Sequence, residues 1–239
     1  MPIRPSYFSL LLVAIALLCG SKSAAQNLQL HYDFGHFTPS LQSRSSLTAT
    51  LEGFHPDRYG STFYFVDFNF PESGKTLLYG EVAREITWWR GPVSLHVEYN
   101  GGYMQRAWFG QAALLGATYT HNAPDFHSGW SLILAYKHHF KHDNPAGAQL
   151  TGTWYRHFGR GKWTFTGFAD LSLERDATDK AYACLLTEPQ LWFNLNRVKG
   201  VPQRFNLSVG SELEISYNFP YENRKLYAVP TLGLKWTFQ

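Results

Sequence analysis

Arg204–Asn218, RFNLSVGSELEISYN, alternates along its whole length. Phe205, Leu207, Val209, Leu213, Ile215 and Tyr217 fall on one face, interrupted only by Ser211. Asn206, Ser208, Gly210, Glu212, Glu214, Ser216 and Asn218 fall on the other. A period of two belongs to a β-strand, whose successive side chains point to opposite faces, and not to a helix. Within Pro92–Gly102 the same split sets Val93, Leu95, Val97 and Tyr99 against Ser94, His96, Glu98 and Asn100. Leu28, Leu30, Tyr32 and Phe34 oppose Gln29, His31 and Asp33 in the same way.

Working outward, the alternation marks twelve segments, over 27–35, 46–54, 60–70, 75–89, 92–102, 110–121, 127–140, 147–158, 161–173, 182–196, 204–218 and 227–238. β-Branched and aromatic residues fill them, and Gly, Pro, Asn and Asp punctuate them. No linker or repeat interrupts the pattern, so residues 26–239 read as one domain. A soluble β-sandwich would turn mixed charges toward water. Here the polar faces carry carboxylates, amides, hydroxyls and Gly with few lysines, and the apolar faces carry Trp, Tyr, Phe and Leu near strand ends. The expected fold is all-β, a closed antiparallel up-and-down transmembrane β-barrel of about twelve strands with a polar interior. Closure follows because backbone amides cannot be left bare in hydrocarbon. The linkers alternate in length. Those at 55–59, 90–91, 122–126, 159–160 and the longer 197–203 alternate with linkers that are mostly longer and more polar, at 36–45, 71–74, 103–109, 141–146, 174–181 and 219–226. Short turns on the periplasmic side and longer outer loops are the asymmetry of outer-membrane barrels.

Composition agrees with this reading. A net charge of +3 is too small for a nucleic-acid binder, so no nucleic-acid partner is expected. With 44% hydrophobic and only 16% charged residues, the chain is not a disordered one. Its 2 Cys exclude a disulfide scaffold. Met1–Ala25 reads as a cleaved signal peptide: Arg4 supplies the positive start, Phe8–Leu18 is too short to span a bilayer, and Ser23-Ala24-Ala25 offers the cleavage site. Export to the outer membrane of a Gram-negative cell follows, with Cys184 the sole remaining thiol, a small wall or core residue. The end of the chain, Gly233–Phe238, places aromatics at alternate positions. It resembles the signal by which assembly machinery accepts outer-membrane proteins. Outer-membrane lipid and that machinery are therefore the expected partners.

If the apolar faces meet lipid, the lumen holds Asp33, Glu52, Asp67, Glu81, Glu85, Glu98, Asp170, Glu188, Glu212 and Glu214, with His31 and His96. The expected interior cations are Lys137 and Lys235, with Lys162 near a strand end. A base on the lipid face near midplane would cost roughly 2–4 kcal/mol, which fixes the choice of inside and outside. An acidic lumen favours cations and neutral polar solutes over anions. Each carboxylate has a second reading, as part of a network that only holds the wall together.

Four features sit awkwardly or carry a rival reading. Turning Glu81 and Glu85 inward sends Arg84 toward lipid, which a β-bulge near Gly80 or snorkelling to the interface would resolve. Pro189 falls inside a strand, which a bulge or a rim position would accommodate. His138, His139 and His142 cluster, but adjacent strand residues point to opposite faces, so a solvated loop is expected there rather than a metal site. No serine motif near a histidine matches a barrel hydrolase, so neither catalysis nor a cofactor is expected.

Tyr59–Asp67, YGSTFYFVD, followed by Leu78–Ile86, LYGEVAREI, resembles the paired strands of Tsx-type nucleoside-specific channels. Through LHVEYNGG, QLTGTWY, FTGFAD, EPQLWFN and the closing KWTF, nearly the whole exported chain also resembles a Bacteroidetes family of uncharacterised Tsx-like outer-membrane proteins. The first likeness implies twelve strands, with Asp67 and Glu81 in the lumen beside Phe63 and Phe65. Stacking on aromatic faces is worth roughly 1–3 kcal/mol per base, and carboxylates accept hydrogen bonds from ribose hydroxyls. Ser61 stands where the Tsx pattern places an aspartate. The expected function is a passive channel for small polar solutes, nucleosides foremost. A barrel enzyme acting on lipid and a non-conducting surface barrel stand as alternatives.

Overall fold

A computed structural model of the chain describes residues 25–70, 77–104, 107–176, 178–219 and 222–238. The expected signal peptide lies outside these residues except for Ala25. Alternation becomes strand wherever it was read: β1 Ala25–Asp33, β2 Leu47–Asp57, β3 Gly60–Phe70, β4 Leu77–Ile86, β5 Val93–Met104 and β6 Ala107–Asn122. There follow β7 Ser128–His139, β8 Ala146–Phe158, β9 Trp163–Arg175, β10 in two pieces (Ala181–Thr187 and Gln190–Asn194), β11 Leu207–Tyr217 and β12 Leu226–Thr237. Each strand pairs antiparallel with its neighbours in sequence. The sheet closes where β1 meets β12, from Asn27 opposite Thr237 to Asp33 opposite Thr231. The result is a closed twelve-stranded barrel. The chain ends and the connections after β2, β4, β6, β8 and β10 share one end, and the other connections share the opposite end.

The usual order of burial is inverted. Leu28, Leu30, Leu95, Val97, Leu134 and Leu171 are exposed on the outer surface, while His96, Gln29, Ser216 and Thr118 are almost wholly buried inside the wall. No soluble fold gains from such an arrangement, because burying apolar area is the main favourable term in water. It suits a barrel set in hydrocarbon. Several of the inward polar groups find partners two residues away on their own strand, since residues i and i+2 share a face. Gln29 donates to Asn27 at 2.8 Å, Tyr79 to Glu81 at 2.8 Å, Asn100 to Glu98 at 2.9 Å and Ser216 to Glu214 at 2.9 Å.

Two prolines interrupt the ladder without shifting it. Thr187 pairs with Ala169 and Ile215, and Gln190 with Thr166 and Glu212, so the register on both sides of Glu188-Pro189 is unchanged. The expected bulge or rim position for Pro189 is thus corrected to a gap in mid-strand, caused by the missing N–H. Gly167 on β9 faces this gap, where a Cβ would lie 2.7 Å from the Glu188 carbonyl oxygen and 2.9 Å from Pro189 Cα. Beside Pro230 on β12 a second gap interrupts the ladder at Ser211 and Glu212, between the pairs Gly210–Gly233 and Leu213–Pro230. Here Ser211 Oγ donates to the Thr231 carbonyl at 2.6 Å, and the Glu212 N–H reaches Thr231 Oγ1 at 3.2 Å. That accounts for Ser211, the one polar residue on the apolar face of its strand.

Arg84 faces outward and lies toward the short-turn end. Its guanidinium donates to Asp57 at 2.7 and 2.9 Å and to Thr62 at 3.0 Å, so it snorkels to the interface. The pairing of β4 with β3 and β5 runs without a break past Gly80; the one register shift lies between Asn100 and Gly102, in the β5–β6 pairing.

Leu134, at the middle of β7 and 65% exposed, tests the inverted arrangement. Leu134→Arg is expected to destabilise the barrel in lipid vesicles by roughly 2–4 kcal/mol, read from urea titration, whereas Leu134→Ile leaves it unchanged.

Candidate functional site

The lumen gathers the inward faces of all twelve strands, and its chemistry divides into a sealed wall and an open belt. On β4 to β6 the wall is closed. His96, 1% exposed, bonds Glu85 through Nδ1 at 2.6 Å and Glu98 through Nε2 at 3.2 Å. Ser94 and Thr118 donate to Glu85, the latter at 2.9 Å, and Asn100 donates to Glu98. Every oxygen of these two carboxylates is engaged by the wall itself, so His96, Glu85 and Glu98 act first as a structural network.

The belt is different. Asp67 accepts from Thr50 at 2.6 Å, Glu81 from Tyr79, Asp170 from Thr151 at 2.5 Å and Glu212 from Gln190 at 2.6 Å. These donors are neutral. No described residue donates to the Glu188 carboxylate. All five carboxylates keep part of their surface open. Glu188 lies within electrostatic reach of Asp67, Asp170 and Glu212, and Glu81 within reach of Asp170. β3 and β4 therefore face β9 to β11 across the lumen. Phe63, Phe65 and Tyr79 form a column beside Glu81, with ring centres 6.2 and 6.0 Å apart.

Three cations enter the lumen among the described residues, two of them in salt bridges. Lys137 meets Glu174 at 2.5 Å and Gln149 at 3.1 Å. Arg44 reaches in from the β1–β2 loop and bridges Asp33 at 2.9 Å and Glu214 at 2.6 Å. Lys235 sits 4.1 Å above the ring of Trp192. Trp192 is 0% exposed, donates to Gln190 at 2.8 Å and touches His31 edge-on. Its ring lies along the wall over Gly210 and Gly233, where added Cβ atoms would stand 2.5 and 2.9 Å from it. Sequence reasoning missed Arg44 and Glu174, which it left in loops, and Trp192, which carries no charge to mark it. Lys162 lies in the β8–β9 turn, immediately before Trp163 at the start of β9, near the strand end expected for it.

The histidine cluster divides as alternation requires. His139 turns inward to the Leu173 carbonyl at 3.0 Å, and His142 pairs with Asp179 at 3.2 Å on a loop. Among the described residues no group of three or more ligating side chains could hold a metal ion. His31 meets the Thr231 hydroxyl at 3.0 Å, and His157 that of Thr164 at 2.9 Å. In neither does a carboxylate orient the ring. Cys184 is buried in the wall as a free thiol.

Beyond the strands, Asp179 ties two long loops together by accepting from the Asn144 N–H at 2.6 Å and side chain at 2.7 Å. Desolvation opposes its ionisation, but these donors, with Arg175 and His142, hold the carboxyl below its usual range. A depressed folded value contributes stability above the unfolded pKa and loses it as pH falls through the folded one. Amide exchange over 141–145 is therefore expected to stay slow at neutral pH and to quicken only below about pH 4, and Asp179→Asn to quicken it at every pH.

A family model described as a domain of unknown function, DUF5020, matches residues 25–238. No curated protein matches the sequence. Among solved structures, the NanC porin is similar over 90% of this chain and 100% of its own, with a TM-score of 0.55 at 10% identity. The KdgM porin is similar over 90% of this chain and 99% of its own, with a TM-score of 0.50 at 11% identity. At such identities the likeness is one of fold.

Proposed function

The chain belongs to the DUF5020 family, whose description names no activity, and from that premise we propose that it is a Gram-negative outer-membrane channel passing small polar solutes passively. The porin-like fold supports the channel. The observation that carries the reading is the belt of Asp67, Glu81, Asp170, Glu188 and Glu212: none forms a salt bridge among the described residues, and only Lys137, held by Glu174, and Lys235 lie within electrostatic reach of any of them. Carboxylates gathered in a narrow space of low dielectric need water or a passing solute to remain there. A wall that only needed holding together would pair them, as it pairs Glu85 and Glu98 with His96.

The belt selects by charge. Its field concentrates cations and admits neutral polar solutes while repelling anions. Nucleosides are the leading candidates: Phe63, Phe65 and Tyr79 offer π faces, and Asp67 and Glu81 accept from hydroxyls. Ser61, in place of the aspartate of Tsx channels, leaves this end of the track less acidic.

Purified protein in liposomes is expected to swell them with nucleosides and neutral sugars and to give a cation-selective reversal potential in a salt gradient. Glu188→Gln combined with Glu212→Gln should weaken that selectivity, and Trp192→Ala should raise single-channel conductance. Absence of permeation by any solute would remove the channel reading, and release of fatty acid from phospholipid would replace it with an enzyme.

A further inference from the structure

A group of basic residues outside the lumen lies at the end of the barrel that holds the chain termini. The β8–β9 turn contributes Arg160 and Lys162, and the long β10–β11 connection contributes Arg197 and Lys199. These four line one groove of about 450 Å³. Neither connection contains an acidic residue, and none of the four has an ionic partner among the described residues. The groove is built before anything enters it. Asn194 holds the Gly161 carbonyl at 2.9 Å, the Arg197 side chain packs over Gly161, and Asn196 donates to Asn206 at 2.7 Å.

A second groove of about 620 Å³ adjoins the first and shares Val201 with it. Its surface is apolar, formed by Val201, Pro202, Phe205 and Trp236, with Arg204 at its edge. Phe205 and Trp236 meet edge-on at 5.7 Å and are both exposed on the outward face. An anionic groove-filler and an apolar one are thus wanted side by side, at the level where the barrel leaves the hydrocarbon.

We infer that the paired grooves bind one anionic phospholipid of the inner leaflet, its phosphate among Arg160, Lys162, Arg197 and Lys199 and an acyl chain along Phe205 and Trp236. Charge complementarity selects the headgroup, since four unopposed cations favour a net negative lipid over a zwitterionic one. The apolar neighbour selects a lipid over a soluble phosphate. The inference rests on the membrane-spanning part of the proposed function and not on conduction.

The test is native mass spectrometry of the full exported chain released from micelles holding equal phosphatidylglycerol, phosphatidylethanolamine and phosphatidylcholine. The expected result is selective retention of phosphatidylglycerol. Removing two basic groups with Arg197→Gln and Lys199→Gln should weaken retention roughly thirtyfold. Phe205→Ala should weaken retention while leaving the preference among headgroups intact. Arg160→Gln with Lys162→Gln provides a second pair should the first fail to reach the folded, heat-modifiable form. Equal retention of the three lipids overturns the inference, as does competition by glycerol phosphate as strong as by the whole lipid. Liposome swelling on the same preparation separates the two readings. A barrel that conducts but shows no lipid preference removes the lipid site alone, and one that prefers phosphatidylglycerol without conducting removes the channel alone.

Discussion

Hydrogen-bond satisfaction of the backbone is the constraint from which the rest of this structure follows. In hydrocarbon an unpaired amide has no water to turn to, so a sheet must leave no edge. The seam between β1 and β12 supplies the last of the pairing. Once the sheet is closed it has only an outside and an inside, and alternation assigns every strand residue to one or the other. The outside is then bound to be apolar, and everything that can ionise must find company within.

That company is of two kinds. Along each strand, residues two apart reach one another, giving the short bonds of Gln29 to Asn27, His96 to Glu98 and Trp192 to Gln190. Across strands, Arg44 ties Asp33 to Glu214 and Lys137 takes Glu174. What these leave over is acidic and concentrated between β3–β4 and β9–β11. A buried carboxylate without a cation is costly unless it is wet. The imbalance of charge therefore bears on the space it borders, and it is the basis of the channel proposed above.

The wall is not uniform. Pro189, Leu213 and Pro230 form a row across β10, β11 and β12, with Gly167 beside it on β9. Two amide donors are missing from this row, and side-chain bonds from Ser211 and Thr231 make up part of the loss. The acids at 188 and 212 adjoin this row. The least firmly paired part of the barrel and the least compensated part of the lumen thus coincide.

Strand positions and inside–outside assignment were legible in the sequence, because a period of two is a local property and each strand declares it alone; connection lengths were not, since the strands run on through most of 103–109 and leave only 105–106 between them. The excess of acids over bases inside was legible for the same reason. Which acids close across strands was not: His96–Glu98 and Tyr79–Glu81 lie within one strand each, but Glu85 meets His96 only because the register of β4 against β5 sets them opposite. Arg44 illustrates the point most sharply, since nothing in its loop marks it as a partner for Glu214, 170 positions away. Trp192 found its seat only where Gly210 and Gly233 came to lie beneath it. The chain by itself determined faces, because those depend on neighbours one residue away; the closed barrel decided partners, because those depend on how far each strand slides past the next.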